Sequence, residues 1–313
     1  MFRRSNLWPH KPTLTETNLP DQTGKVFIIT GGNSGVGREL AAILYQHNAR
    51  IYIATRSKPR TLEVMAEIED AHPHSKGSLV FLELVLDDLN TIKAAAETFL
   101  RRESRLDVIW NNAGVMLPPS GSKTKQGYEL QMGVNTLAHF LLIKLLTPIL
   151  LRTAQDPATK KNSVRVVWVS SLSVDFSTKP FLDFDNMNYQ VKDESQAVKY
   201  DRSKCGNLLH AIEFDKRYPE SGICSVSMTP GLLKTNLQRN FTASQNLIVR
   251  LMGKPAIMGA YTELFAGLDP SITPNDKWVC PFGAREEPRV EMMDPGLTSA
   301  FWDWSEKQVK PYL

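Results

Sequence analysis

Cysteine is scarce: three residues, Cys205, Cys224 and Cys280, in a chain of 313. An odd number without metal-ligand spacing excludes a disulfide framework and offers no metal centre. The three read as free thiols in a reducing compartment. Runs of like charge are short as well. The 37 Lys and Arg residues are dispersed among 33 Asp and Glu, for a net charge of +4. Without a basic stripe, nucleic acid is not an expected partner. No apolar stretch of the signal-peptide kind follows "MFRRSNLWPH", so a leader is not expected. The most apolar run, "FLLIKLLTPILL" (140–151), is too short for a bilayer crossing and contains Lys144 and Pro148. It reads as a buried core helix, not a transmembrane segment. These absences lead to the expectation of a soluble, cytoplasmic protein. Repeats and low-complexity tracts are lacking too.

What remains is a regular alternation. The 42% apolar content is enough for a substantial core. Residues 1–23 are polar and interrupted by proline, and read as an extended arm. From residue 24 to 313 the chain reads as one domain. Short β-type runs occur at 25–30, 50–55, 78–84, 106–111, 164–170 and 222–228, with helical segments such as 37–48, 88–102, 134–152 and 200–218 between them. The strands are apolar almost throughout, as expected when helices cover both faces of a sheet. The fold class is α/β, a doubly wound parallel sheet of the Rossmann type.

The first strand runs into "TGGNSGVGREL". Gly31, Gly35 and Gly37 let the backbone turn sharply and let a pyrophosphate approach without Cβ clashes. The helix that opens there offers free N–H groups to the anion. Alone, the pattern could be a glycine-rich turn. Its place between a strand and a helix, with a second strand following, favours a dinucleotide. After that second strand, "ATRSKPR" (54–60) has no carboxylate for a ribose 2′-OH and three basic residues instead. Arg56 stands where a 2′-phosphate would lie, and Asn33 and Ser34 can add donors. NADP(H) is therefore the expected cofactor. The competing reading is a solvated helix start.

Four stretches, "TGGNSGVG" (30–37), "NNAG" (111–114), "VWVSS" (167–171) and "YDRSK" (200–204), followed by "TPGLLKT" (229–235), resemble the short-chain dehydrogenase/reductase family. "GYELQMGVNTLAHF" (127–140) is similar to its retinol-dehydrogenase and protochlorophyllide-reductase-like branch, and the N-terminal arm to fungal members. The resemblance implies catalytic roles for four residues. Tyr200 is the acid/base, Lys204 its partner, Ser171 the serine that binds the reacting oxygen, and Asn135 the holder of a proton-relay water. It further implies that Asn112, Ala113 and Gly114 lie beside the adenine ribose. Val36, Pro230, Gly231, Leu232 and Thr235, with Tyr200 and Lys204, would complete the cofactor contacts. A homodimer or homotetramer through helices 88–102, 134–152 and 200–218 is implied as well.

The chemistry agrees. Carbonyl reduction needs a hydride on carbon and a proton on oxygen. A tyrosine with a pKa near 10 is a poor acid/base, and a lysine one helical turn away is expected to lower that value. Each residue has an ordinary alternative, such as a strand-end serine pair or a helix-capping Asn135, but their joint occurrence does not. Two departures stand out. Val85 occupies a position where many relatives carry an adenine-contacting Asp, so Asp87 or Asp88 substitutes or the contact is missing. Ser171 and Tyr200 lie 29 positions apart, leaving 172–199 as an excursion that is either a substrate-facing lid or a surface loop.

Segments 115–119, 172–199 and 232–256 are expected to line a substrate cavity. Met116, Leu117, Phe176, Phe181, Phe184, Met187, Leu232, Leu233, Leu237 and Phe241 are its candidate apolar wall. The expected function is NADPH-dependent reduction of a lipophilic ketone or aldehyde, or the reverse oxidation, with secondary-metabolite carbonyls implied by the fungal resemblance. The alternatives are an NADP(H)-binding regulator or scaffold without turnover, and a C=C reductase on the same scaffold.

Overall fold

A computed structural model of the chain describes residues 9–313, apart from the side chains of Asn236, Arg239, Ser244 and Ile248. The apolar, β-branched run Val26–Thr30 forms β1, and α1 (Gly35–Gln46) follows directly. The alternation continues with β2 (Arg50–Thr55), α2 (Lys58–Ala71), β3 (Ser78–Glu83), α3 (Ile92–Leu100) and β4 (Val108–Asn111). Then come α4 (Leu130–Gln155), β5 (Val164–Val169), α5 (Gln196–Arg217) and β6 (Ile223–Met228). The chain closes with α6 (Ala243–Met252), α7 (Ala256–Leu268), β7 (Trp278–Cys280), β8 (Ala284–Glu286) and α8 (Pro295–Val309).

Among the described residues the strands form one sheet in the order β3-β2-β1-β4-β5-β6-β7-β8, parallel except for the antiparallel β7–β8 pair. After β3 the chain crosses over β1 and continues as β4 on its other side, in register Ile29 with Trp110. That reversal opens a crevice beyond the carboxyl ends of β1 and β4, where sheets of this kind bind ligands. Side chains alternate across the sheet. Phe27 and Ile29 pack with Leu40, Leu44, Leu264 and Phe265 on one face. Val26 and Ile28 join Phe99, Phe140, Leu146 and Trp302 on the other.

Several boundaries differ from the sequence expectation, and each has a local cause. α4 begins at Leu130 because the Glu129 carboxylate accepts from the Met132 N–H at 2.8 Å. α5 begins four residues before Tyr200, where Ser195 Oγ accepts from the Val198 N–H at 3.3 Å. β4 starts two residues later than expected: the Leu106 N–H donates to Thr153 Oγ1 and not to a strand, and Asp107 bonds to Val26 and Arg165 just ahead of the strand. By length and composition α4 could cross a membrane, but most of it is buried in the domain, as a core helix should be. The arm is not free over its described part. Leu14 and Leu19 are buried in the α1-side layer, and the Gln22 N–H donates to the His47 carbonyl at 2.7 Å. Residues 1–8 of the expected arm lie outside the described residues.

Candidate active site

The crevice widens into a cavity of about 550 Å³ lined by the glycine loop, the turn after β4, the end of β5, α5 and the segment after β6. Gly31 (φ 71°) makes the turn out of β1, and Gly35 (φ 55°) opens α1. Both conformations favour glycine. Ser34 precedes α1, and its side chain makes no capping bond. The first-turn amides of α1 therefore keep their donors for an anion. Gly31, Ser34, Gly35, Val36, Asn112, Ala113 and Gly114 all line the cavity. Gly37 does not. A Cβ there would stand 2.6 Å from Asn112 Nδ2 and 2.9 Å from the Gly31 carbonyl, so this glycine lets the helix pack against the turn.

Asn112 Nδ2 donates to the Thr30 carbonyl at 2.8 Å, and the Ala113 N–H donates to Thr30 Oγ1 at 2.9 Å. These bonds pin the turn after β4 to the end of β1. His139, to which sequence analysis gave no role, extends the network. Its Nδ1 donates to the Asn135 carbonyl at 3.0 Å, which leaves Nε2 to accept from Thr30 Oγ1 at 2.9 Å. Burial pushes this imidazole down to about 4, so it stays neutral. Its spacing from Asn135, one helical turn on, was the only sequence signal.

Arg56 lies exposed at the end of β2 and makes no ion pair among the described side chains. Asn33 is turned toward α2, where its Nδ2 donates to Thr61 Oγ1 at 3.0 Å. Asp88, one candidate for the adenine contact, is committed elsewhere: its carboxylate accepts from the Asn90 N–H and from Gln126 Nε2. Pro230, Gly231, Leu232 and Thr235 line the cavity opposite the glycine loop. Gly231 (φ 87°) carries the chain over Pro281, whose Cγ would be 2.9 Å from a Cβ.

The chemical end of the cavity joins three elements. Ser171 lies two residues beyond the end of β5, capping the short turn that follows, and hydrogen-bonds the Tyr200 phenol from α5. Lys204 Nζ donates to the Val169 carbonyl at 2.8 Å and stands 5.9 Å from the centre of the Tyr200 ring. A Cβ at Gly114 would crowd Asn135 Oδ1 at 3.2 Å, while meeting Lys204 Nζ at an ordinary 3.5 Å. Asn135 sits in a π-helical turn, Gly133–Leu137, at the start of α4. Its Oδ1 accepts from the Val115 N–H at 2.8 Å, and its Nδ2 donates to the Val115 carbonyl and Ser203 Oγ, each at 3.0 Å. The amide thus anchors the loop that follows the β4 turn.

One expectation is corrected. The sequence pointed to a tyrosine pKa lowered by lysine. Instead burial pushes the Tyr200 phenol up to about 12, with the Ser171 bond pulling only partly the other way. Burial likewise brings Lys204 down to about 8, against the pull of the Glu263 carboxylate. In the protein alone desolvation is the largest influence on both groups, and Lys204 Nζ, 5.9 Å from the ring centre, keeps donors beyond the one it gives to Val169.

Glu263 was missed from sequence. It lies on α7 four residues from both Gly259 and Gly267, whose Cβ atoms would stand 2.3 Å from Leu233 Cδ1 and 2.2 Å from Trp110 Cζ2. That spacing places Glu263 on the helix face pressed against the floor of the site. Both carboxylate oxygens are buried without a hydrogen-bond partner. An unpaired buried carboxylate costs several kcal/mol, and burial raises this one to about 8, with Lys204 pulling it down.

The substrate side is narrower than expected. Met116, Leu117, Phe176, Leu232, Leu233, Leu237 and Phe241 line the cavity. Phe181 and Met187 are instead buried in a separate core layer with Leu208 and Trp278, and Phe184 is exposed and outside the lining. The excursion contributes Leu172, Ser173, Phe176 and Ala197 to the cavity, all near its two ends. Its middle folds back on α5, where the Tyr189 ring lies 4.8 Å from Lys199 Nζ.

The short chain dehydrogenase family model matches residues 25–179. A short-chain dehydrogenase/reductase of Phomopsis amygdali is 45% identical over alignments covering 99% of this chain and 96% of that one. The chain belongs to the short-chain dehydrogenase/reductase family. A second member, the short-chain dehydrogenase/reductase pkfC of Emericella nidulans, is 46% identical and covers 96% of this chain and 98% of its own. Among solved structures, an uncharacterized protein of Mycobacterium paratuberculosis superposes with a TM-score of 0.72 at 27% identity, covering 95% of this chain and 97% of that one. The Pseudomonas aeruginosa RhlG/NADP active-site complex shares the fold, with a TM-score of 0.62 at 21% identity over 84% of this chain and 97% of that one.

In this short-chain dehydrogenase/reductase the Glu263 carboxylate supports the charged form of Lys204. Glu263→Gln removes that support, so the pKa of Lys204 should fall further. The expected result is an alkaline limb of the pH–rate profile displaced to lower pH. Profiles that superimpose for the two proteins would show that the carboxyl plays no part in charging Lys204.

Proposed function

We propose that this oxidoreductase reduces a lipophilic ketone or aldehyde with NADPH, or catalyses the reverse alcohol oxidation. The observation that carries the reading is the meeting of the Ser171–Tyr200 pair with a glycine-lined cradle in one largely apolar cavity. NADP(H) fits the residues present: uncapped amides at the start of α1, glycines where a Cβ would intrude, and Arg56 at the end of β2 in place of a carboxylate. The NADP complex of the RhlG neighbour supports the same choice. Bound there, the reduced nicotinamide supplies the hydride. Ser171 and Tyr200 bind the carbonyl oxygen, and Tyr200, firmly protonated in its buried setting, donates the proton. Lys204 stabilises the phenolate left behind. The apolar wall of Met116, Leu117, Phe176, Leu237 and Phe241 favours a lipophilic substrate. The fungal relatives make secondary-metabolite carbonyls the first compounds to examine.

The test is NADPH oxidation across a panel of lipophilic aldehydes and ketones, with products identified by mass spectrometry. Alcohol products support the reading. Saturation of a conjugated C=C bond with the carbonyl retained would place the enzyme among the C=C reductases. NADPH binding without turnover on any carbonyl would favour a regulator or scaffold.

A further inference from the structure

Asp201 follows the catalytic tyrosine on α5 and lines the same cavity. The lining of that cavity is mostly apolar and includes Leu172, Phe176 and Ala197. A carboxylate in such a place requires an explanation. It is not a helix cap, since Ser195 caps α5. It is not half of an ion pair among the described side chains. The two cations nearest in sequence are turned away: Lys199 Nζ meets Asp193 at 2.5 Å, and Arg202 reaches toward Glu194 at 3.9 Å, with both packed on the Tyr189 ring. Lys204, one turn on, donates to the Val169 carbonyl and makes no ion pair with Asp201. Ser173, which also lines the cavity, eases the burial of Asp201, and its own Oγ is buried without a close hydrogen-bond partner.

We propose that Asp201 is a specificity residue, which accepts a hydrogen bond from a second polar group on the substrate, so that the preferred substrates are lipophilic carbonyl compounds bearing a hydroxyl or ammonium donor. The inference rests on the carbonyl-reductase reading and deepens it. An apolar cavity with few polar anchors fixes a ligand's orientation through those anchors. Ser171 and Tyr200 take the reacting oxygen, and Asp201 is the remaining anion at that end. A donor placed there would pair with a carboxylate that is half-buried and only partly hydrated. Burial pushes this carboxyl up to about 6, so at neutral pH it is largely ionised and able to accept.

The experiment compares kcat/KM for acetophenone with its 2′-, 3′- and 4′-hydroxy derivatives, the matching methoxy derivatives and the 3′- and 4′-aminomethyl derivatives. The full chain is assayed with NADPH at pH 7.5 as wild type, Asp201→Asn and Asp201→Leu. Wild type is expected to prefer at least one donor-bearing isomer over acetophenone by about 10- to 100-fold, the range for a hydrogen bond to a charged group. The methoxy counterpart should gain nothing. In Asp201→Leu that ratio should collapse to about 1. Asp201→Asn, which keeps an acceptor oxygen without the charge, should retain part of a hydroxyl preference and lose an ammonium preference. The ratio within each protein serves as its own control against altered folding. Turnover of acetophenone with no donor preference, or a preference that survives Asp201→Leu, overturns the inference and leaves the carbonyl-reductase reading standing. Absence of NADPH oxidation with every ketone overturns both.

Discussion

Tyr200→Phe should lower carbonyl turnover by about 10²- to 10⁴-fold, the usual contribution of a positioned general acid, while NADPH still binds. The substitution removes one oxygen and leaves the ring in place. That oxygen is bonded by Ser171, at the end of the cavity remote from the helix amides that would hold the pyrophosphate. Stopped-assay kcat and NADPH fluorescence titration separate the two effects. A variant with undiminished kcat would mean that Tyr200 is not the proton donor. The pH dependence adds a second readout. With the Tyr200 phenol pushed up to about 12 and Lys204 brought down to about 8, the first loss on raising the pH is the lysine ammonium. Reduction needs the tyrosine protonated and the ammonium charged. The rate should therefore hold across neutral pH and decline above about 8, with no decline traceable to the tyrosine itself.

Arg56→Asp should cost about 10²-fold or more in kcat/KM for NADPH, and little for NADH. The guanidinium stands exposed at the end of β2 with no ion pair among the described side chains, so none of these competes with a phosphate for it. A charge-assisted pair of this kind is among the stronger hydrogen-bonded contacts. Reversal to a carboxylate replaces it with repulsion and supplies the acceptor that a ribose 2′-OH prefers. The check is kcat/KM for both cofactors with a single carbonyl substrate. Equal values for NADPH and NADH in the unaltered enzyme would remove Arg56 from the cofactor site.

Much of the machinery was legible in the sequence because it is local. The glycine loop, the "NNAG" turn and the Tyr200–Lys204 pair each lie within one strand–turn–helix unit or one helical turn, so spacing along the chain stands in for distance in space. Ser171 and Tyr200 are 29 positions apart, and the structure joins them through a hydrogen bond. The element ends were less legible, since α4 and α5 start where Glu129 and Ser195 cap them, before the apolar pattern begins.

The sequence by itself determined the fold class, the glycine-lined loop and which residues are candidates for the chemistry. Backbone turns and helical spacing restrict which residue types can stand at those positions. Tertiary structure alone decided the rest. It put Phe176 in the cavity wall and Phe181 in the core, although both belong to the same excursion. It set Lys204 on the Val169 carbonyl, within electrostatic reach of Glu263 from a helix more than fifty residues further on. It turned Lys199 and Arg202 away from the cavity and left Asp201 facing it. The physical reason is common to all three. Burial, charge pairing and the direction of a side chain depend on what packs against it from distant parts of the chain, and these set the desolvation that governs Tyr200, Lys204, Asp201 and Glu263.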